Sequence, residues 1–287
     1  MGKLNIIKLF ILIFVQLSFG QINSILIDEN TKIPITYAKI WIENEIIETF
    51  SNDKGYFSLI TKSENDSIII SHVGYKTKKI VVSEIKDTIL LKSSILKFEE
   101  VFVSQRKNKK QFIVNRINEK NIDWYFGTGV DNHWLFAKYF PFNKKYNETK
   151  FLKKISLFTG VNKKVNFNIR LYSTDKDGKP LENLTPNNII ATAKKGYNKT
   201  EINVIDLNIL FPENGLFVAI ENIEDINSNE FKNTSLVFGL DLSNKSEQTY
   251  YFYKGEWVKN IDVDENKKYD KMIYFLSYSM IELTLTD

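Results

Sequence analysis

The chain has 287 residues, with 39 Lys and Arg against 35 Asp and Glu, and no Cys. The net charge of +4 is too small for a dedicated nucleic-acid binder, and the hydrophobic fraction of 43% excludes wholesale disorder. Without disulfides the fold depends on its apolar core, which a chain of this length can build in two ordinary domains.

Residues 1–20 have the composition of a secretory signal peptide. Lys3 and Lys8 form the positive start, residues 9–15 form an apolar run, and Ser18 and Gly20 are the small residues before the cut. The run is shorter than the about 20 residues of a spanning helix, so we expect cleavage after Gly20. A lipid anchor is not expected, because no Cys stands at the cut.

Export would remove Lys3 and Lys8 from the 39 basic residues, which leaves 37 against 35 acidic ones. No nucleic-acid partner is expected at so small a balance. Residues 21–287 hold no run of 18 apolar residues, so we expect no transmembrane segment after cleavage. The sequence therefore predicts an exported protein that is periplasmic, associated with the outer membrane, or extracellular.

Residues 21–104 show the two-residue period of half-buried strands. Ala38, Ile40 and Ile42, for example, alternate with residues 39, 41 and 43. Turn sequences such as Asn52-Asp53-Lys54-Gly55 separate the periodic segments. Seven strands are predicted, near residues 22–28, 37–43, 46–51, 55–61, 67–73, 76–83 and 87–92. Short strands at this spacing predict a β-sandwich.

The motifs of this module, taken in order, resemble a known family. They are Ile33-Pro34, Ala38-Lys39-Ile40, Asn52-Asp53-Lys54-Gly55-Tyr56-Phe57, Ser71-His72-Val73-Gly74-Tyr75 and Leu96-Lys97-Phe98-Glu99-Glu100-Val101. This order is similar to the carboxypeptidase-regulatory-like domain of Bacteroidetes envelope proteins. The resemblance implies a seven-stranded transthyretin-like (prealbumin-like) sandwich without catalytic activity. We expect Gly55 to take a positive φ and the Asp53 side chain to close its turn.

Residues 105–124 begin with a basic run that contains Arg106, Lys107, Lys109 and Lys110. Such a run between modules is typical of a solvated linker, and the apolar residues after it allow a short helix. A patch that faces phosphate or polysaccharide is the alternative interpretation of the same run.

Residues 125–287 return to a period of two. Residues 165, 167, 169 and 171 alternate with 166, 168, 170 and 172, and residues 216, 218 and 220 alternate with 217, 219 and 221. A cross-strand ion pair between Arg170 and Glu221 would be structural in such a sheet. The pattern predicts a jelly-roll-like β-sandwich. Residues 150–225 also resemble the C-terminal part of Bacteroidetes proteins that carry the same first module.

Residue types that carry catalysis or bind metals are scarce. The chain has two His, His72 and His133, so a zinc site would need several carboxylates. Segments at Asp175 and Asp262 lack the spacing of an EF-hand loop, and we interpret both as turns. No catalytic residue, metal or cofactor is predicted. Paired acids for glycoside hydrolysis stay an open alternative, because only their separation in space identifies them.

Aromatic clusters supply the ligand-binding candidates. One cluster contains Trp134, next to His133, and another contains Tyr253 and Trp257. Aromatic rings stack on sugars or anchor protein interfaces, but sandwich cores use the same residues. These four residues are therefore ligand-binding candidates. The shape of the second sandwich decides between two roles for them: an open aromatic face favours binding, and a filled one favours packing.

Two short motifs, Asp66-Ser67-Ile68 and Asp87-Thr88-Ile89, resemble the O-glycosylation acceptor sequence of exported Bacteroidetes proteins. The resemblance implies Ser67 and Thr88 as acceptors. Such a modification would require export, which the first 20 residues predict.

The sequence thus predicts an exported, non-catalytic binding or scaffolding protein of the cell envelope, with a polysaccharide or an envelope protein as its partner. Two alternatives stay open. One is a carboxylate-dependent envelope hydrolase, and the other is an accessory subunit of an outer-membrane transporter or secretion system.

Overall fold

The computed structural model describes residues 20–45, 47–94, 108–127, 135–223, 236–246, 248–259, 275 and 277–287. The predicted signal peptide lies outside these residues, apart from Gly20. The chain divides into two compact units, residues 1–71 with 76–92 and residues 72–75 with 93–287. Strands dominate both units, which confirms the predicted all-β class.

The described part of the first unit has seven strands. They are β1 (Gly20–Asp28), β2 (Lys39–Ile42), β3 (Glu48–Phe50), β4 (Tyr56–Thr61), β5 (Ser67–Ser71), β6 (Lys78–Val81) and β7 (Thr88–Leu91). One sheet has the order β4-β1-β7, with β1 parallel to β7, and the other has the antiparallel order β3-β2-β5-β6. Each strand lies within two residues of its predicted bounds.

Alternation buries one side of these strands. In β4, Phe57 and Leu59 are 1% and 4% exposed, whereas Tyr56 and Ile60 face solvent. The apolar side of each strand thereby reaches the core of the unit, as the period of two requires.

The turn before β4 is closed by Asn52, one residue before the predicted Asp53. Asn52 Oδ1 accepts hydrogen bonds from the N–H groups of Lys54 at 2.9 Å and Tyr56 at 3.0 Å. Because a side chain at the first turn position reaches the N–H groups two and four residues ahead, Asn52 and not Asp53 satisfies them. Gly55 has the predicted positive φ, +75°.

The second unit contains two larger sheets. Its strands are β8 (Gln111–Val114), β9 (Trp124–Phe126), β10 (Leu135–Phe140), β11 (Phe151–Val161), β12 (Val165–Thr174), β13 (Pro180–Asn183), β14 (Ile189–Ala193), β15 (Gly196–Asn203), β16 (Leu216–Asn222), β17 (Val237–Leu240), β18 (Thr249–Tyr253), β19 (Glu256–Lys259) and β20 (Ile281–Thr286). A seven-stranded sheet has the order β13-β12-β16-β10-β18-β19, with β14 also paired to β12. A six-stranded sheet has the order β8-β20-β11-β17-β9, with β15 also paired to β11.

The core of the second unit is built from alternate residues of both sheets, as in a sandwich. Phe167, Ile169 and Leu171 of β12 belong to the same buried cluster as Leu157 of β11 and Leu283 of β20. The opposite side of each strand therefore faces outward, and these two outward faces are where a binding site can form.

The segment 105–124 contains a strand in its described residues. β8 pairs with β20, and Phe112 and Val114 pack against the core. The predicted short helix is replaced by β8 and a 3₁₀ turn at Glu119–Asn121, because the period of two suits a sheet edge. No helix in the described part of the chain is long and apolar enough to cross a membrane.

Candidate functional site

The structure describes two of the four ligand-binding candidates. His133 and Trp134 lie outside the described residues. Tyr253 ends β18 and is 42% exposed, and Trp257 on β19 is half-buried. The two described candidates thus lie on one hairpin at the edge of the seven-stranded sheet.

The outward face of the seven-stranded sheet carries a buried polar network. Arg170 Nε donates to Glu221 Oε2 at 2.7 Å, which confirms the predicted cross-strand ion pair. Asn168 Nδ2 donates to the same oxygen at 3.0 Å. Burial opposes the charge of Arg170, but Glu221 and Tyr172 outweigh it and raise the pKa of the guanidinium.

Aromatic side chains close this face. Trp257 stands edge-on to Tyr172 and to Phe252, with ring centroids 5.3 Å apart in both pairs. Burial raises the pKa of Tyr172 to about 12, although Arg170 works against the rise. Glu221 is 0% exposed, and Trp257 packs onto Tyr172 and Phe252, so this face is filled.

The outward face of the six-stranded sheet presents an exposed tyrosine on a glycine. Tyr197 of β15 pairs with Gly160 of β11. A Cβ at Gly160 would stand 2.4 Å from Cδ1 and Cε1 of the Tyr197 ring, so the ring lies directly on the backbone. Tyr197 is nevertheless 62% exposed. The ring is therefore supported from below and open above.

A second tyrosine meets the first one. Tyr125 of β9 pairs with Gly239 of β17, and its ring centroid is 4.3 Å from that of Tyr197. Phe158 supports Tyr125 from β11, at 6.1 Å between centroids. Gly160 leaves room for the ring of Tyr197, and Gly239 lies against Phe158, the residue that supports Tyr125. Tyr125 and Tyr197 are called the tyrosine platform below.

The hydroxyl of Tyr125 stays protonated at neutral pH. Burial raises its pKa, and Tyr197 and Glu119 add to the rise. A protonated phenol both donates and accepts hydrogen bonds, so the platform offers polar contacts at the rim of its apolar rings.

Two ion pairs lie on the same face as the platform. Lys199 Nζ is 2.9 Å from Glu282 Oε1, and Lys154 pairs with Glu201. Hydrogen bonding from Lys154 lowers the pKa of Glu201. Because these charges are matched, this part of the face has hydrogen-bonding groups without a net charge.

Sequence reasoning did not identify Tyr197 as a candidate binding residue. One signal was available: Gly160 lies inside a strand pattern, where glycine marks a close approach of another group. The approaching group, Tyr197, follows on β15, after three intervening strands. The pairing of β11 with β15 is non-local, so the sequence does not identify which ring covers the glycine.

The other polar residues that the sequence analysis considered for catalysis or metal binding make contacts typical of a structural role. His72, which belongs to the second unit, has its Nε2 3.1 Å from Asn188 Nδ2. Asp175 Oδ1 accepts hydrogen bonds from two backbone N–H groups at 2.9 and 2.7 Å and so closes its turn. Asp262 lies outside the described residues. Within the described ranges no group of three or more His, Asp or Glu side chains could hold a metal ion.

Comparison with known proteins identifies the first module. Residues 24–103 match the family model of the CarboxypepD_reg-like domain, a regulatory, non-catalytic β-sandwich. No curated protein sequence matches the chain.

Solved structures give distant likenesses. The cysteine protease and lectin-like domains of Cwp84, a surface layer associated protein of Clostridium difficile, are 11% identical with a TM-score of 0.36, over 84% of this chain and 45% of that one. Clostridial Cwp84 after propeptide cleavage is 11% identical with a TM-score of 0.34, over 84% of this chain and 50% of that one. The structure of infectious bursal disease virus Gt strain is 9% identical with a TM-score of 0.26, over 92% and 58%. The chain spans about half the length of these proteins.

Proposed function

We propose that the protein is an exported, non-catalytic binding protein of the cell envelope whose second unit binds carbohydrate through the tyrosine platform. The observation that carries the proposal is the ring of Tyr197, 62% exposed, seated on Gly160 and 4.3 Å from the ring of Tyr125. An aromatic ring held in this way can stack on the apolar face of a pyranose without losing freedom of its own.

The contrast between the two outward faces supports this location. On the seven-stranded sheet Trp257 packs onto Tyr172, and Arg170 and Glu221 are buried in an ion pair with each other. On the six-stranded sheet the rings of Tyr125 and Tyr197 are accessible, and hydrogen-bonding groups lie beside them. A sugar needs both an aromatic surface and nearby polar groups, and only the second arrangement offers them to solvent.

Binding is favoured over hydrolysis by the state of the buried acids. Glu221 is engaged by Arg170, and Glu282 is engaged by Lys199. A glycosidase needs two carboxyl groups that flank the scissile bond, whereas each of these acids contacts a basic side chain of its own sheet. The CarboxypepD_reg-like domain is likewise regulatory, which supports a scaffolding role for the first module. We also propose that the first module originates among Bacteroidetes envelope proteins and has a transthyretin-like topology.

A glycan array with the chain from Gln21 to Asp287 tests the proposal. We expect signal on at least one class of polysaccharide, and loss of that signal in Tyr197→Ala. The Trp257→Ala variant is the matched aromatic control, because its ring covers a filled face. Absence of signal on every glycan would contradict carbohydrate binding.

Export and modification are tested by intact-mass measurement of the protein secreted by its own host. Cleavage after Gly20 predicts the mass of residues 21–287, and glycosylation adds to it. Thr88 is exposed at the start of β7, whereas Ser67 is half-buried at the start of β5, so we propose Thr88 as the better acceptor. A mass that still includes residues 1–20 would contradict export by cleavage.

A further inference from the structure

Two short loops lie side by side at one end of the second unit. One connects β11 to β12 through residues 162–164, and the other connects β14 to β15 through residues 194–195. The register pairs Val161 with Gly196 and Val165 with Ala193, so both loops leave the sheets at the same level. Paired strands are about 4.8 Å apart, which makes the loops neighbours.

These neighbouring loops are rich in lysine. Their sequences are Asn162-Lys163-Lys164 and Lys194-Lys195, without an acidic residue. Lys164, Lys194 and Lys195 are exposed, and in the described ranges no ion pair joins any of the three to an acid. The four lysines are called the lysine loops below.

The second loop is held in place by a side chain. Asn198 Nδ2 donates to the carbonyl oxygens of Lys194 and Lys195, at 3.3 and 3.1 Å. Gly196, with a φ of +95°, makes the turn into β15. The lysines therefore project from a defined backbone rather than from a loose linker.

The lysine loops adjoin the tyrosine platform. Tyr197 follows Lys195 by two residues, which is about 7 Å of strand. Gly160, under the ring of Tyr197, precedes the first loop by two residues in the same way. A ligand whose sugar stacks on Tyr197 would thus bring its substituents to the lysine ammonium groups.

The charges along this face are arranged unequally. Lys199, two residues from Tyr197 on β15, is paired with Glu282, and Lys154, farther along the face, is paired with Glu201. Lys164, Lys194 and Lys195, at the loop end, have no partner acid among the described residues. A neutral sugar would use the platform alone, whereas a sugar with an anionic substituent would complement both parts.

We infer that the tyrosine platform and the lysine loops form one site for an anionic polysaccharide, with pyranose rings on Tyr125 and Tyr197 and carboxylate or sulfate groups at Lys164, Lys194 and Lys195. This inference rests on the proposed carbohydrate binding. It specifies that the ligand is anionic and that it runs across the face from the tyrosine platform to the lysine loops.

Titration of the chain from Gln21 with four polymers tests it: polygalacturonate, dextran sulfate, neutral dextran and polyglutamate. We expect binding to polygalacturonate or dextran sulfate, which distinguishes carboxylate from sulfate, and at least tenfold weaker binding to dextran. Polyglutamate carries charge without a sugar ring, and we expect it to bind at least tenfold more weakly as well. Because the lysines are exposed, affinity should fall as salt is raised.

The Lys194→Ala/Lys195→Ala variant should bind the anionic polymer roughly three- to tenfold more weakly, as expected for two exposed charges. Lys144→Ala/Lys145→Ala is the matched control, since these lysines are also adjacent and exposed but precede the other end of β11. Equal binding of dextran, equal binding of polyglutamate, or an unaffected lysine variant would overturn the inference and leave carbohydrate binding intact. Failure of all sugar polymers, here and on the array, would instead remove the proposed function.

Discussion

The ring of Tyr197 lies on the backbone of Gly160, so closely that a Cβ at Gly160 would stand 2.4 Å from two of its carbon atoms. Glycine inside a strand weakens the sheet, and an aromatic ring from the neighbouring strand can cover the exposed backbone. Here the covering ring is also 62% exposed, so one contact both protects the strand and forms an outward aromatic surface.

Gly160→Ala should displace the ring of Tyr197 without removing it. Because the added Cβ would stand 2.4 Å from Cδ1 and Cε1, the ring has to leave its position against Tyr125. We expect affinity for the glycan to fall about tenfold, the value of an aromatic contact. Calorimetric titration measures the change, and circular dichroism checks that the fold is retained. Unchanged affinity with a folded variant would show that the ring position is irrelevant to binding.

Glu221→Gln should destabilise the second unit strongly. The substitution leaves the guanidinium of Arg170 buried without its anion, which costs about 3–5 kcal/mol in the free energy of unfolding. Glu43→Gln, in the exposed pair with Lys79, is the matched control and should cost less than about 1 kcal/mol. Urea denaturation measures both. Similar small losses in the two variants would contradict a structural role for the network.

The stability of the second unit should rise between pH 8 and pH 10.5 because of Lys138. Burial lowers the pKa of this side chain from 10.5 to about 8, while Asp241 acts in the opposite direction. The folded chain therefore releases the proton at a lower pH than the unfolded chain, and the penalty for burying the charge disappears over that window. The shift corresponds to about 3 kcal/mol in the free energy of unfolding.

Lys138→Met removes this titration. We expect the variant to lack the rise that the parent chain shows between pH 8 and pH 10.5, although it loses the hydrogen bond from Nζ to the Ser279 carbonyl. Urea denaturation across this range gives the difference between the two proteins, in which the titration of other groups cancels. The same pH dependence in both would argue that Lys138 titrates normally.

Gly55→Ala should destabilise the first unit more than Gly178→Ala destabilises the second. Both glycines have a positive φ, +75° and +79°, so both substitutions carry a strain of about 1–2 kcal/mol. A Cβ at Gly55 would also stand 2.7 Å from the Leu26 carbonyl oxygen, whereas at Gly178 nothing lies within 4 Å. Thermal unfolding of the two variants compares the costs. Equal losses would mean that the crowding at Gly55 relaxes freely.

The periodicity of the sequence predicted the features that depend on a single strand, namely where it lies and which side each residue faces. It placed all seven strands of the first unit and set Arg170 and Glu221 on matching sides of β12 and β16. The ion pair could be anticipated because a polar residue inside an apolar alternation needs a partner on the next strand.

Contacts that depend on which strands are neighbours in a sheet could not be predicted from the sequence. Tyr197 meets Tyr125 because β15, β11, β17 and β9 are neighbours, and that order is set by the whole sheet. The sequence predicted Trp257 as a ligand-binding candidate. In the structure its ring, on the hairpin of β18 and β19, packs against Tyr172. The sequence also predicted that Asp53 closes its turn, whereas Asn52 closes it. The two residues differ only in their position within the turn.

Titration of one glycan into the parent chain, Tyr197→Ala and Tyr56→Ala shows whether the tyrosine platform binds carbohydrate. Tyr56 is an exposed tyrosine of the first unit, 41% accessible against 62% for Tyr197, so it controls for loss of a surface ring. We expect Tyr197→Ala to lose about tenfold or more in affinity, while Tyr56→Ala binds like the parent. Equal binding by all three proteins would contradict the assignment of carbohydrate binding to the tyrosine platform.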